Sequence, residues 1–243
     1  MVPREIVDLI RKMSAANICW GSPRIVGELH KLGIDAAKST VEKYRARPWT
    51  APSTTWKSFL NNHSRDMVSI DLLVVPTVRF RMLYVLVILS HHRRQVVHFK
   101  ITEHPTAHWT GQQIIEAFPY PSAPKYLIRD RDDVYGRQFP KRVKSMGIEE
   151  ILTAPGSPWQ NAYLERMIRS IRRDCLDHVI VLNERQLKRI LTSYFDYYHR
   201  WRTHLSLEMD SPSSRPAQPQ GSGVVVQFPE LGGLHHHYER IAA

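Results

Sequence analysis

The sequence predicts an α/β domain, a mixed sheet covered on both faces by helices, preceded by a small helical unit. Three observations predict it. Residues 65–155 carry β-branched apolar runs in the order strand, strand, strand, helix, strand, helix, strand. Two long amphipathic segments follow them, and residues 1–47 show short helical patterns with no strand signal. With 243 residues, 42% of them hydrophobic, the chain can bury one large core and one small one.

The helical unit comes first. Glu5–Met13 is amphipathic through Ile6, Leu9, Ile10 and Met13. Ser22 reads as an N-cap with Pro23 at the first helical position, and Gly33 stops the helix formed by Ile25, Val26, Leu29 and Leu32. A third helix starts at Ser39, with Glu42 completing a capping box. Val41 and Tyr44 then point inward, which leaves Thr40, Lys43, Arg45 and Arg47 outward. Helix, turn and a basic last helix predict a helix-turn-helix DNA-binding unit over 1–47, with Arg24, Thr40 and Lys43 as DNA contacts. Residues 48–64 hold Pro48, Pro52, Ser53, Thr54 and Thr55 and read as a linker. Trp49, Trp56, Phe59 and Leu60 are too apolar for free coil, so part of that linker is expected to dock on a neighbouring surface.

The main domain is expected over 65–210. Val68–Val75, Met82–Leu89 and Gln95–Ile101 are close enough in sequence to form an antiparallel meander. Thr106–Phe118 reads as a helix, Lys125–Arg129 as a strand, Tyr135–Met146 as a helix and Glu149–Thr153 as a short strand. The first long helix covers about Pro158–Leu176, with Leu164, Ile168, Ile171 and Cys175 as its buried stripe; the second starts near Asn183. Residues 211–243 read as a linker and C-terminal tail, with a possible strand at Val224–Phe228.

Charge narrows the function. Lys and Arg total 34 against 23 Asp and Glu, a net charge of +11, which favours an anionic partner and nucleic acid first. Two cysteines exclude a disulfide framework and a cysteine-rich zinc site and favour a reducing compartment. No apolar run approaches a membrane span, and the start MVPREIVDLIRKM lacks the core of a signal peptide, so a cytoplasmic protein without a membrane partner is expected. His91-His92 and His235-His236-His237 are clustered but lack the ligand spacing of a zinc site; a solvated or phosphate-touching role is expected for both.

Three carboxylates are the chemical candidates. Asp71 stands in the middle of Met67–Val75, where a charge is costly unless something compensates it. Asp130 ends the run Lys125–Asp130, at a strand's C-terminal end where α/β sheets gather ligands. Glu165 sits about 100° round the helix from buried Leu164, at the edge of the apolar stripe. Arg166, Arg169 and Arg173 follow on one side, with Arg172 close by. Carboxylates beside a cationic stripe suit a metal site that handles phosphodiesters, the arginines holding phosphates. The competing reading has Asp130, Asp132 and Asp133 decorating a turn and Glu165 paired with Arg169 on the surface.

The segment from Asp71 to Pro212 resembles the integrase core of the Asp-Asp-Glu transposases of bacterial insertion sequences, which are similar to retroviral integrases. The resemblance rests on Ser69-Ile-Asp71, Leu127-Ile-Arg-Asp130, Ser157-Pro-Trp-Gln-Asn-Ala-Tyr-Leu-Glu165 and Arg172-Arg-Asp-Cys-Leu176, closed by Tyr197-Tyr-His-Arg-Trp-Arg-Thr-His204 and Pro212. Residues 20–44 resemble the helix-turn-helix that precedes such cores. The family implies a ribonuclease-H-like mixed five-stranded sheet. It implies Asp71, Asp130 and Glu165 as catalytic ligands of two Mg²⁺ or Mn²⁺ ions. It also implies cleavage of a DNA 3′ end followed by strand transfer into target DNA, with a homo-oligomer at synapsis. The family's second Asp is usually followed by a polar residue and Gly, whereas here Asp130-Arg-Asp132-Asp133 runs on to Gly136. Asp130 leaves 34 residues before Glu165, close to the family's gap, and Asp132 leaves 32, which ranks it second. Pro155–Gln160 fits the family's mobile loop. Trp159 there is a base-stacking residue or a hydrophobic plug, and Asn161 orients a phosphate or caps the helix. Members often carry further N-terminal sequence, which leaves open whether this copy is shortened. Two rivals share the fold: a DNA-binding protein without activity, and a metal-dependent nuclease that stops at hydrolysis.

Overall fold

The computed structural model describes residues 2–17, 21–45, 54–119, 122–219 and 221–242. The chain forms two compact units, Met1–Thr54 and Thr55–Ala243.

In the first unit, α1 (Arg4–Ala16), α2 (Ser22–Lys31) and α3 (Lys38–Tyr44) close over a small core of Ile10, Ile25, Leu29 and Val41. Two expected caps are absent. Gly21, not Ser22, is the N-cap of α2, and Ser22 is buried inside the helix. Ala37 precedes α3 without a side-chain cap, and Glu42 pairs with Lys38 at 3.7 Å instead of reaching back to the helix start. Each helix begins one residue earlier than its polar signal suggests, a common offset at helix ends. Arg47 and Trp49 lie outside the described residues, as does Cys19.

The second unit opens with α4 (Thr54–His63), so much of the expected linker is helical. Trp56, Phe59 and Leu60 share one face of α4 at helical spacing and pack on Met67, Tyr126 and Ile128. That apolar face explains why this stretch orders despite its polar composition.

The sheet contains β1 (Met67–Pro76), β2 (Met82–Ser90), β3 (Val96–Thr102), β4 (Tyr126–Arg129) and β5 (Glu149–Leu152) in the order β3-β2-β1-β4-β5. β1, β2 and β3 pair antiparallel, while β4 runs parallel to β1 and β5 parallel to β4. This mixed five-stranded sheet with helices on both faces is ribonuclease-H-like. Alternation along β1 sorts its side chains. Val68, Ile70 and Leu72 face α5 (Ala107–Ala117) and α6 (Gln138–Ser145). Leu73 and Val75 face α7 (Ala162–Asp174) and α8 (Glu184–Arg200), and Ser69 and Asp71 share their parity.

The helix expected from Tyr135 starts later. Asp133–Tyr135 is a 3₁₀ turn and α6 begins at Gln138. Gly136 separates them at φ +52°, where an added Cβ would stand 2.8 Å from the Cβ of Ala107. Only glycine fits that step without strain. At the chain's end, β6 (Val224–Glu230) and β7 (His235–Ile241) form an antiparallel hairpin where a tail was expected.

Candidate active site

Register brings the first two carboxylates together. Met67 pairs with Tyr126 and Ser69 with Ile128; two residues further along the same parallel register stand Asp71 and Asp130. Asp71 lies on the face covered by α7, and α7 packs on β1 and β2. Glu165 is in the first turn of α7. The Asp71 carboxyl is pushed up to about 7, first by burial, against the pull of the Leu72 N–H that donates to its Oδ1 at 2.7 Å. The negative charges of Asp130, Glu165 and Asp132 raise it further. Glu165 is raised by burial and by Asp130, with Arg169 opposing. These couplings place the three carboxylates within electrostatic reach of one another.

Asp130 and Asp132 differ in setting. Asp130 is half-buried, and its Oδ1 accepts the Asp132 N–H at 3.2 Å. Asp132 is exposed, and its Oδ1 accepts the Val134 N–H at 2.9 Å, which caps the 3₁₀ turn. Asp130 acts on both Asp71 and Glu165, whereas Asp132 is the weakest of the charges acting on Asp71. The carboxylates supply hard oxygen donors of the kind Mg²⁺ and Mn²⁺ take. Among the described residues, no three His, Cys, Asp or Glu side chains stand close enough to hold an ion as placed. Glu165 is exposed in the first turn of α7.

Sequence reasoning missed Tyr135 as a neighbour of this site. Its ring is buried, its hydroxyl has no partner, and its pKa is raised well above the ordinary value by burial and then by Asp71 and Asp130. Arg129 stacks over it at 4.7 Å and is held by Glu150. As an aromatic in a predicted helix, Tyr135 carried no signal separating it from ordinary core.

The arginine stripe divides. Arg166, Arg169 and Arg173 line a cavity beside α7, whereas Arg172 turns to the edge of β1 and donates to the Val74 carbonyl at 3.3 Å. Trp159 is half-buried at the turn before α7. Asn161 occupies the N-cap position of α7 but makes no side-chain cap; it is 5% exposed and its Oδ1 has no partner. In the first unit Arg24 and Lys43 are exposed and Thr40 half-buried, with the Lys43 ammonium 5.2 Å from the Tyr44 ring.

The histidine clusters are structural in large part, not solvated. His91 is buried, and its Nε2 lies 2.5 Å from Ser69 Oγ. On the hairpin, His235 stacks on Tyr197 and His237 on Trp201, with ring centroids 4.7 and 3.7 Å apart. His237 Nδ1 also lies 2.9 Å from Glu230, and His235 Nε2 lies 2.6 Å from the Asp174 carbonyl. These contacts hold β6–β7 against the end of α8.

Residues 146–212 match the integrase core domain family, a stretch that includes Glu165 and the arginines but neither Asp71 nor Asp130. The chain is 20% identical to the putative transposase InsK of insertion sequence element IS150 from Escherichia coli K12, over 74% of this chain and 67% of that one. It is 22% identical to an uncharacterized 39.2 kDa protein of insertion element IS476 from Xanthomonas euvesicatoria, over 62% and 44%. The chain thus spans about two thirds of the first relative and under half of the second. Similar solved structures include the HTLV-2 integrase catalytic core in complex with magnesium, at TM-score 0.46 and 11% identity, covering 62% of this chain and 94% of that one. The catalytic domain of Mos1 mariner transposase matches at TM-score 0.47 and 14% identity, over 58% and 78%. Among the described residues, no helix is long and apolar enough to cross a membrane. The chain is thus similar to insertion-sequence transposases, and its residues 146–212 match the integrase core domain.

Proposed function

We propose that this chain is a DNA strand transferase. It cuts the 3′ ends of a mobile element with water and joins each freed 3′-hydroxyl to a phosphodiester of target DNA. The observation that carries this reading is the gathering of Asp71, Asp130 and Glu165 on one side of the sheet, with the Asp71 carboxyl raised to about 7 by burial and by its neighbours' charges. In this reading the three carboxylates hold divalent Mg²⁺ or Mn²⁺, two ions per site. Such ions activate the attacking oxygen and stabilise the leaving one when bound. Asp71 and Asp130 fix the site from adjacent strands, and Glu165 completes it from α7. Tyr135 is buried near Asp71 and Asp130, and Asn161 carries an unpaired acceptor at the N-cap position of α7. The arginines neutralise the DNA backbone. Arg24, Thr40 and Lys43 contact duplex DNA from the helix-turn-helix over 1–47, with Trp159 stacking on a base beside the reacting strand. The protein works on bacterial DNA in the cytoplasm and pairs with further copies of itself at synapsis.

The test uses Asp71→Asn, Asp130→Asn and Glu165→Gln in a Mg²⁺-dependent strand-transfer assay. Each is expected to lose activity by about 10³-fold or more while DNA binding stays within a few-fold. Activity retained in Asp130→Asn and lost in Asp132→Asn would move the second ligand to Asp132.

A further inference from the structure

A cavity of about 410 Å³ beside α7 is lined by five arginines, Arg94, Arg166, Arg169, Arg173 and Arg202, and none of its described lining residues is acidic. The arginines come from three places: α7, the turn after β2, and the segment after α8. Two of them already have a carboxylate, since Arg173 and Arg202 share Asp174 at 2.8 and 3.1 Å. Arg94, Arg166 and Arg169 make no ion pair among the described residues.

The wall of the cavity is built, not incidental. The Arg94 guanidinium lies 3.5 Å from the Tyr163 ring centroid. Tyr163 in turn meets His91 edge-on at 4.9 Å, and His91 is joined to Ser69 on β1, two residues before Asp71. Arg94 holds a left-handed backbone at φ 59°, and its buried Nε has no partner. His204 also lines the cavity with a buried, unpartnered Nε2. Its Nδ1 faces Arg202 Nη1 at 3.5 Å, and a guanidinium only donates, so Nδ1 accepts and the ring proton sits on Nε2. Burial and the charges of Arg202 and Arg94 hold the His204 pKa down to about 4, which keeps that ring neutral. The cavity therefore contains two buried N–H donors without acceptors and, in Arg94 and Arg166, two cations without a carboxylate partner among the described residues, while Arg169 is offset only by Glu165 outside the cavity lining. A ligand with several anionic oxygens answers both.

We propose that this cavity is a phosphate seat that holds the backbone of the DNA strand a few nucleotides away from the bond being cut. The eight helical steps from Glu165 to Arg173 span about 12 Å of helix. That corresponds to roughly three to four nucleotides at about 3.4 Å each. The identity of the occupant as DNA rests on the strand-transfer reading; the cavity's preference for phosphate does not.

Two measurements without divalent metal test the proposal: binding of inorganic pyrophosphate by calorimetry, and binding of a labelled DNA duplex by fluorescence anisotropy across a salt series. The cavity variant is Arg166→Gln/Arg169→Gln. The control is Arg185→Gln/Arg189→Gln, which removes the same charge from exposed positions on α8 outside the cavity. The cavity variant is expected to lose about tenfold in affinity for both probes and to flatten the salt dependence of DNA binding by about two in slope, the control changing each affinity by less than about twofold. Equal losses in the two variants, or no binding of pyrophosphate to the wild-type chain, would overturn the phosphate seat. Pyrophosphate bound through these arginines yet not displaced by duplex DNA would overturn DNA as its occupant. Binding is the only readout, so a chain lacking strand-transfer activity still passes or fails on the cavity alone.

Discussion

Asp71 combines a cost to stability with the metal-binding role proposed for it in one side chain. A carboxyl raised from 3.8 to about 7 on folding releases its proton earlier in the unfolded chain. Below the unfolded value it is neutral in both states and costs nothing. As pH climbs from about 4 through about 7 the folded chain loses stability, and above that the full cost is present. Asp71→Asn is therefore expected to stabilise the metal-free protein at pH 8 by up to about 2 kcal/mol after discounting for partial exposure, with little effect at pH 4. Chemical denaturation at the two pH values measures it, and an equal effect at both would contradict the account. His91 gives the opposite limb. Burial lowers it from 6.5 to about 3, so the folded chain keeps it neutral while the unfolded chain takes up a proton. Stability is then lost as pH falls from about 6.5 toward 3, and His91→Gln should flatten that acid slope even if the variant is less stable throughout. An unchanged slope would show that His91 is not the group responsible. Asp71 was legible in the sequence because a charge inside an apolar strand is an anomaly. Tyr135, Arg94 and His204 were not, because their meaning depends on which neighbours the fold brings to them.

At the scale of elements, periodicity found the strands and long helices, and irregular steps were where it failed. The stripe of α7 and the apolar face of α8 are visible in spacing alone, as is Asn183, whose Oδ1 accepts the Gln186 N–H at 2.9 Å to cap α8. The break at Gly136 was hidden, since a left-handed residue packed against Ala107 is a tertiary fact. Gly136→Ala should lower stability by roughly 1–3 kcal/mol through backbone strain and the clash with Ala107, read from the urea midpoint. No shift would mean that this turn relaxes freely. α4 was hidden by its polar composition, although Trp56, Phe59 and Leu60 signalled a docked surface. Phe59→Ala should open α4, detected as faster proteolysis ahead of β1 and a loss of about 1–3 kcal/mol. The arginine stripe was half legible. Helical phase grouped Arg166, Arg169 and Arg173, but the sequence could not show that Arg94 and Arg202 complete their cavity or that Arg172 leaves it for β1.

For the whole molecule, the net charge of +11 sets the expectation of a polyanionic partner, and the proposed function makes that partner DNA. In the proposed function the two units divide the work. Substitutions in the first unit, Arg24→Gln or Lys43→Gln, should weaken duplex binding and reduce its salt slope by about one each while leaving the chemistry of prebound DNA unchanged. Substitutions of the carboxylates should do the reverse. The sheet was readable as a whole because its strand order follows from short antiparallel links and two helical crossovers. The proposed carboxylate site was readable only in its candidate members. Their assembly depends on the register of β1 against β4 and on the phase of α7, and the choice between Asp130 and Asp132 depends on which one caps the turn. The most direct measurement is a crystal structure of the protein soaked in Mn²⁺, with the ions located by anomalous scattering. Density between Asp71, Asp130 and Glu165, with Glu165 swung inward, is the predicted result. Ions bound instead at Asp132 and Asp133, or no ordered ion at saturating Mn²⁺, would contradict it.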